Sequence, residues 1–463
     1  MDSLTKERLE THIREKMFET STPALTIAIR GQKEGNYDNA FGYSDVASGR
    51  KAETRTCFGI GSLTKSFTAI CVLRLYFDGK LDLADSITKY IQEIRGTVFD
   101  RVTLHHLLSH SSGVSTLGTA ETMLMNRIKG SWGTDKSRDE IFYGALRQAG
   151  DWLVGAPGER FSYLNEGFSL LHDVVERVSG SSYEQFVEQN VFDPIGMKDT
   201  FFLNNASDAE AHDIATPYSA ISSRVPVPTP LLGGTPGSGS IFSNVIDLSK
   251  YMEMLVNRGS IGRRKIIDSS GIDMMESVHT KISGEEIGPE GCREVKGAGY
   301  GYGLNVSSDF FGRKLVSHGG SVFVYTAYMG FVRESGESVA ILSNTTGVQL
   351  GNLGKYALAV AMGMDPRELV TYRNLEAMKL LAGTYETLGG SIRLDIRAAG
   401  ERLEMRNNYS TDATVLFPEV INTAHSRFFT LSGFQKVYAD FVPKGEGRVD
   451  LIFSNSKYRK KTS

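Results

Sequence analysis

The chain has 463 residues, 40% of them hydrophobic and 23% charged, with a formal net charge of -3. That length implies at least two domains with sizeable cores, and the near-neutral balance gives no bulk electrostatic reason for a nucleic-acid partner or an anionic membrane surface. The three cysteines, Cys57, Cys71 and Cys292, stand at unrelated spacings that fit neither a disulfide framework nor a metal site.

Met1–Arg14 has no apolar signal core, and no apolar run is long enough to cross a bilayer, so a cytoplasmic location without a membrane partner is expected. Leu4, Leu9 and Ile13 among charged residues predict an opening amphipathic helix. Ala24–Arg30 and Asp38–Tyr43 predict a β-hairpin, and Ser62–Gly79 is apolar at helical spacing with glycine as its stop. Leu104–Leu108, Phe168–Val178 and Leu248–Val256 are further helical segments. Thr216–Ser243 holds five of the twelve prolines and reads as a long loop. Lys314–Ser317, Thr326–Val332 and Val339–Ser343 read as strands before a closing helix at Lys355–Met362. Strands at both ends with helices between them predict an α/β domain over 1–368: an antiparallel sheet flanked by helices, with an all-helical subdomain beside it. After Asp365-Pro366, six short alternating segments between Ile392 and Phe453 predict a second domain over 369–463, an antiparallel β-barrel. The final Lys457, Arg459, Lys460 and Lys461 read as a solvated basic tail.

Ser-x-x-Lys occurs five times, at Ser3, Ser48, Ser62, Ser86 and Ser454, so the pattern alone decides nothing. Context separates Ser62, which follows Phe58-Gly59-Ile60-Gly61 and heads an apolar helix, Ser62–Leu75. A serine there can be a plain N-cap. The same placement also aims backbone N–H groups at the hydroxyl's surroundings and puts Lys65 one turn away, at the edge of an apolar face that favours a neutral amine. Tyr163 and Asn165 form a Tyr-x-Asn pair, a pattern found also at Tyr37–Asn39 and Tyr372–Asn374. Tyr163 has the alternative of a buried tyrosine, and Asn165 that of a cap for the helix Glu166–Val178. His318, the one histidine in a His-x-Gly setting, has the alternative of an ordinary turn residue. No cluster of ligand-type residues has metal spacing, and neither a metal nor a cofactor is expected.

Phe58 to Ala69, with Gly61-Ser62-Leu63-Thr64-Lys65 at its centre, resembles the nucleophile motif of the penicillin-recognising serine enzymes. That superfamily includes class C β-lactamases, D-alanyl-D-alanine carboxypeptidases, esterases and D-aminopeptidases. Thr103 to Gly113 is similar to its structural helix-turn, Pro157 to Asn165 to its Tyr-x-Asn segment, and His318-Gly319-Gly320 to its third motif on an inner strand. In order, these cover about residues 20 to 365. The resemblance implies acylation of Ser62, proton transfer by Lys65 and Tyr163, and an oxyanion hole from the backbone N–H groups of Ser62 and Ser321. It implies that Asn165 bonds the substrate amide or the lysine, and that His105, His106 and His110 are structural. His318 departs from the lysine common where a substrate carboxylate is anchored. A partly charged histidine there favours the peptidase branch, acting on short or D-residue peptides. A carboxylesterase on the same residues and an inactive binding module are the alternatives. Leu381-Ala382-Gly383-Thr384-Tyr385 resembles the opening of the lipocalin-like domain some relatives carry. The oligomeric state stays open, a homo-oligomer among the options. Specificity is expected in the loops Leu117–Asp139 and Ala215–Ser240.

Overall fold

The structure, a computed structural model, describes residues 2–119, 122, 138–219, 224–230, 236–295, 297–445 and 447–461. They fall into two compact units: Met1–Ile282 with Gly297–Met364, and Ser283–Lys296 with Asp365–Ser463.

The first unit is built on a nine-stranded antiparallel sheet. Its strand order is Arg50–Lys51, Tyr37–Asp45, Ala24–Arg30, Glu337–Ser343, Tyr325–Val332, Arg313–Val322, Asn305–Phe310, Ala298–Tyr300, Thr280–Lys281. The N-terminal hairpin therefore closes onto the C-terminal strands, with Leu25 opposite Ser343 and Arg30 opposite Ser338. All seven residues of Glu337–Ser343 are buried, so both faces of the sheet are covered there. Helices Leu350–Ala361 and Val245–Val256 supply part of that cover.

Between the two halves of the sheet the chain is mostly helical. The helix Thr64–Phe77 buries eleven of its fourteen residues, as a helix apolar nearly all round must. It packs against Asn165–Ser179, which ends at Gly180 in the left-handed conformation, φ 74°. The proline-rich stretch 216–243 is not all loop. It contains a helical turn at Pro236–Gly239 and a strand, Ile241–Ser243, that pairs with Phe58–Gly59 and Phe201–Phe202. Among the described residues no helix is long and apolar enough to cross a membrane.

The second unit is a closed eight-stranded antiparallel barrel running from Gly383–Glu386 to Ser456–Lys460, preceded by the helix Val370–Leu381. Its interior is filled by Tyr385, Ile396, Leu403, Leu416, Phe428 and Phe441, with others. The basic tail is a correction to the sequence reading. Ser456–Lys460 is the closing strand, because Tyr458 points inward while Lys457 and Arg459 pair outward with Asp450. A hairpin from the middle of the chain, Glu285–Gly288 with Gly291–Glu294, belongs to this unit and packs on the strand Thr414–Val420.

Candidate active site

Ser62 lies in a tight 3-10 turn, Gly61–Leu63, that runs directly into the helix Thr64–Phe77, which holds Lys65. Neither turn nor helix has a side-chain cap, so Ser62 is not spent as an N-cap. It is partly exposed, whereas Lys65 is fully buried. The turn depends on glycine. Gly61 has φ 52°, and a Cβ there would lie 2.7 Å from the backbone N, C and O of Ser321. A Cβ on Gly320 would lie 2.0 Å from the carbonyl oxygen of Ile60. These two glycines let the Ser62 turn sit directly on the strand Arg313–Val322 and bring the backbone at Ser62 beside that at Ser321.

Lys65 Nζ lies within hydrogen-bond distance of Ser62 Oγ at 3.0 Å, Asn165 Oδ1 at 2.8 Å and the Ser238 carbonyl oxygen at 2.8 Å. Two of these partners can only accept, while the Ser62 hydroxyl can donate or accept. An ammonium can therefore donate to all three. A neutral amine can donate to Asn165 and Ser238 and turn its lone pair to the Ser62 proton. The same geometry serves both protonation states, which a proton-shuttling lysine needs. Asn165 is the first residue of its helix and Leu164 is the N-cap, so the capping alternative fails. Lys65 Nζ also lies 4.9 Å from the centroid of the Tyr163 ring and 5.7 Å from that of Phe168.

The segment carrying Tyr163 is strapped to His110. The Ser162 N–H donates to the His110 carbonyl oxygen at 2.7 Å, and the Leu164 N–H donates to His110 Nδ1 at 3.1 Å. The His110 ring lies 4.2 Å from that of Tyr163, and burial holds it neutral, well below its ordinary range. His105 bonds the Tyr302 hydroxyl at 2.7 Å and His106 completes a capping box with Thr103, so both are structural.

His318 differs from expectation. It is buried, with Nδ1 2.6 Å from the Gly319 carbonyl oxygen and Nε2 2.9 Å from the Tyr300 hydroxyl. The carbonyl can only accept, so Nδ1 carries the proton and Nε2 accepts from Tyr300. Burial, together with the Lys65 charge, holds its pKa down at about 4, so it is neutral rather than partly charged at pH 7. It presents no cation. Gly319 is the exposed residue of the three in the His-Gly-Gly motif.

The other matches have ordinary roles. Ser86 caps a 3-10 turn and Lys89 pairs with Asp85. Ser454 lies in a turn before the last barrel strand, Tyr37 and Asn39 bond Glu10, and Asn374 belongs to the second unit. Residues 120–121, 123–137, 220–223 and 231–235, which make up much of the two expected specificity loops, lie outside the described residues.

The sequence reading missed the supports behind Lys65. Thr68 Oγ1 donates to the Gly237 carbonyl oxygen at 2.7 Å and lies 2.7 Å from the Tyr183 hydroxyl, which holds the backbone next to Ser238. The signal was present as hydroxyls at Thr64, Ser66 and Thr68 on an otherwise apolar helix. His172, Asp173 and Glu176 have ligand atoms within 4.8 Å of one another, but they bond each other, Tyr143 and the Tyr183 N–H.

The family model described as Beta-lactamase matches residues 9–362. The chain belongs to the beta-lactamase family. A second model, the Pab87 octamerisation domain, matches residues 366–459. The octameric penicillin-binding protein homologue from Pyrococcus abyssi is 34% identical, with a TM-score of 0.85 over 99% of this chain and 100% of that one. A D-stereospecific amidohydrolase from Streptomyces sp. shares the fold at 20% identity and a TM-score of 0.61, over 76% of this chain and 97% of its own. Penicillin-binding protein 4* of Bacillus subtilis (strain 168) is 25% identical over 66% of this chain and 65% of its own length. Protein flp of Staphylococcus aureus (strain MW2) is 26% identical over 55% and 49%. The chain thus spans about half to two-thirds of the length of these curated relatives.

Proposed function

We propose that this beta-lactamase family member is a serine peptidase acting on short or D-residue-containing peptides through an acyl-enzyme. The observation that carries the reading is the buried Lys65 amino group, which bridges Ser62 Oγ and Asn165 Oδ1 at 3.0 and 2.8 Å. Ser62 Oγ attacks the scissile carbonyl carbon. Its proton passes to Lys65 and Tyr163, which share the base role, and then to the leaving amine as the C–N bond breaks. Water attacks the resulting ester, its proton returns to Ser62 by the same groups, and the acid is released. The backbone N–H groups of Ser62 and Ser321 form the oxyanion hole, a reading supported by the contact of Gly61 with the Ser321 backbone. Asn165 holds Lys65 and reaches the substrate amide.

A neutral, hydrogen-bonded His318 offers no charge to a substrate carboxylate. This favours peptides and amides over β-lactams, whose recognition draws on a carboxylate. The second unit is read as the assembly domain of a homo-octamer, on its match to the octamerisation model and on the octameric relative. The three free cysteines fit a cytoplasmic location.

The test is a screen of matched L- and D-residue amides, peptides and esters, with a β-lactam arm. Turnover should be highest on peptide amides that lack a required free carboxylate. Efficient turnover of β-lactams, or of esters alone, would contradict the peptidase reading.

A further inference from the structure

The second unit carries a fully exposed aromatic ring that no contact within the unit explains. Ser432 pairs with Gln435, so Gly433 and Phe434 form a two-residue hairpin loop, with Gly433 at φ 61°. Phe434 at its tip is 106% exposed. Leu431, on the strand leading to that tip, is 60% exposed. Phe429, two residues further back on the same face, packs 5.9 Å from the ring of Phe417, itself 46% exposed. An apolar strip thus runs outward along the hairpin from Phe429 to Phe434.

The inner end of that strip opens into a cavity of about 730 Å3, walled by Ile287, Leu375, Met378, Phe417, Ile421 and Phe429. Glu286, Glu401 and Arg402 stand at its edge, and the barrel interior beneath is already filled. This volume accommodates a phenyl ring with its hairpin tip and lies within the usual range of ligand pockets.

We propose that the Phe434 hairpin of one copy seats in this cavity of a second copy, and that the exchange is reciprocal about a two-fold axis. The proposal rests on the homo-oligomeric reading above and names the surface that makes it. Knob and cavity lie five residues apart on one hairpin, about 17 Å along the strand. A two-fold axis near the hairpin's midpoint therefore brings each tip to the other copy's cavity, as an isologous interface requires. The occupant is a second copy rather than an unrelated partner, because this face belongs to the segment, 366–459, that matches an octamerisation domain. Buried aromatic anchors dominate such interfaces, and a loop-tip phenylalanine adds nothing to folding of its own barrel.

Native mass spectrometry and light scattering on the full chain test this, with Phe434→Ser and Phe434→Trp compared against wild type. Wild type should be a homo-oligomer. Phe434→Ser should raise the concentration at which half the chains leave the assembly by at least about thirtyfold, giving a smaller species, and Phe434→Trp should stay within a few-fold of wild type. Labelling of Ser62 and the far-ultraviolet circular dichroism of both variants should match wild type. In a mixture of 14N and 15N copies, a p-benzoylphenylalanine in place of Phe434 should cross-link to Ile287, Leu375, Met378 or Ile421 of the other isotope. A monomeric wild type would overturn both this proposal and the oligomeric reading. An oligomeric wild type whose Phe434→Ser variant keeps its mass, or whose cross-links fall outside the cavity, would overturn this interface alone. So would a small apolar molecule found in the cavity at one per chain.

Discussion

Replacing Lys65 by methionine keeps the stem's length and approximate volume, with a thioether sulfur at the Cδ position, and removes the amine, which separates support from chemistry. Nζ is lost from the partly buried Asn165 Oδ1 and from the buried Ser238 carbonyl, each at 2.8 Å. That costs at most about 1–3 kcal/mol for each. In the other direction, the fold no longer buries a lysine amine, whose desolvation costs several kcal/mol in its charged form. The two effects are of similar size and opposite sign, so stability should change by less than about 2 kcal/mol and the melting temperature by a few degrees. Nothing offsets the loss at Ser62, whose hydroxyl loses the partner 3.0 Å away. Its kcat should fall at least about a hundredfold, or about 2.7 kcal/mol of barrier. Initial rates on a peptide amide and the rate of fluorophosphonate labelling, with melting curves alongside, measure both sides. Turnover within about threefold of wild type at an unchanged melting temperature would refute the assignment of Lys65.

Tyr163→Phe leaves the ring packed 4.2 Å from His110 and 4.9 Å from Lys65 Nζ, so kcat should drop at least about a hundredfold with KM and melting temperature nearly constant. A change confined to KM would assign Tyr163 to binding. His318 is held at about 4, so below pH 6.5 the unfolded chain takes a proton that the folded one refuses. Its contribution is therefore fully present above pH 6.5 and is lost as pH falls toward 4, at about 1.4 kcal/mol per pH unit. His105, also held at about 4 by burial, adds a second such loss. Melting curves from pH 7.5 to 4.5 should be shallower for His318→Gln by one proton's slope, and identical slopes would mean that His318 charges in the fold.

The residues that meet around Lys65 were legible because each sits in a short local motif whose geometry its neighbours dictate. Ser62 and Lys65 share one helical turn, and Tyr163 and Asn165 straddle the start of another helix. The strands Ala24–Arg30 and Tyr325–Val332 were legible from β-branched and aromatic runs. What escaped depends on contacts distant in sequence. The Ser238 carbonyl is backbone and has no residue signature, and its hold through Thr68 and Tyr183 joins three segments. Tyr300, 18 residues before His318, fixes that ring through one hydroxyl across the sheet. The closing barrel strand was hidden because its outward positions are lysine and arginine, which mimic a solvated tail until Tyr458 and Asp450 are placed. The mid-chain hairpin that joins the second unit interrupts no pattern in the sequence around it.

The central claim is that Ser62 is the acylated residue. Intact-mass spectrometry with a fluorophosphonate should find one adduct per chain on the wild type, mapped by peptide sequencing to Ser62, and none on Ser62→Ala. An adduct that persists in Ser62→Ala, or maps to Ser3, Ser48, Ser86 or Ser454, would contradict the account.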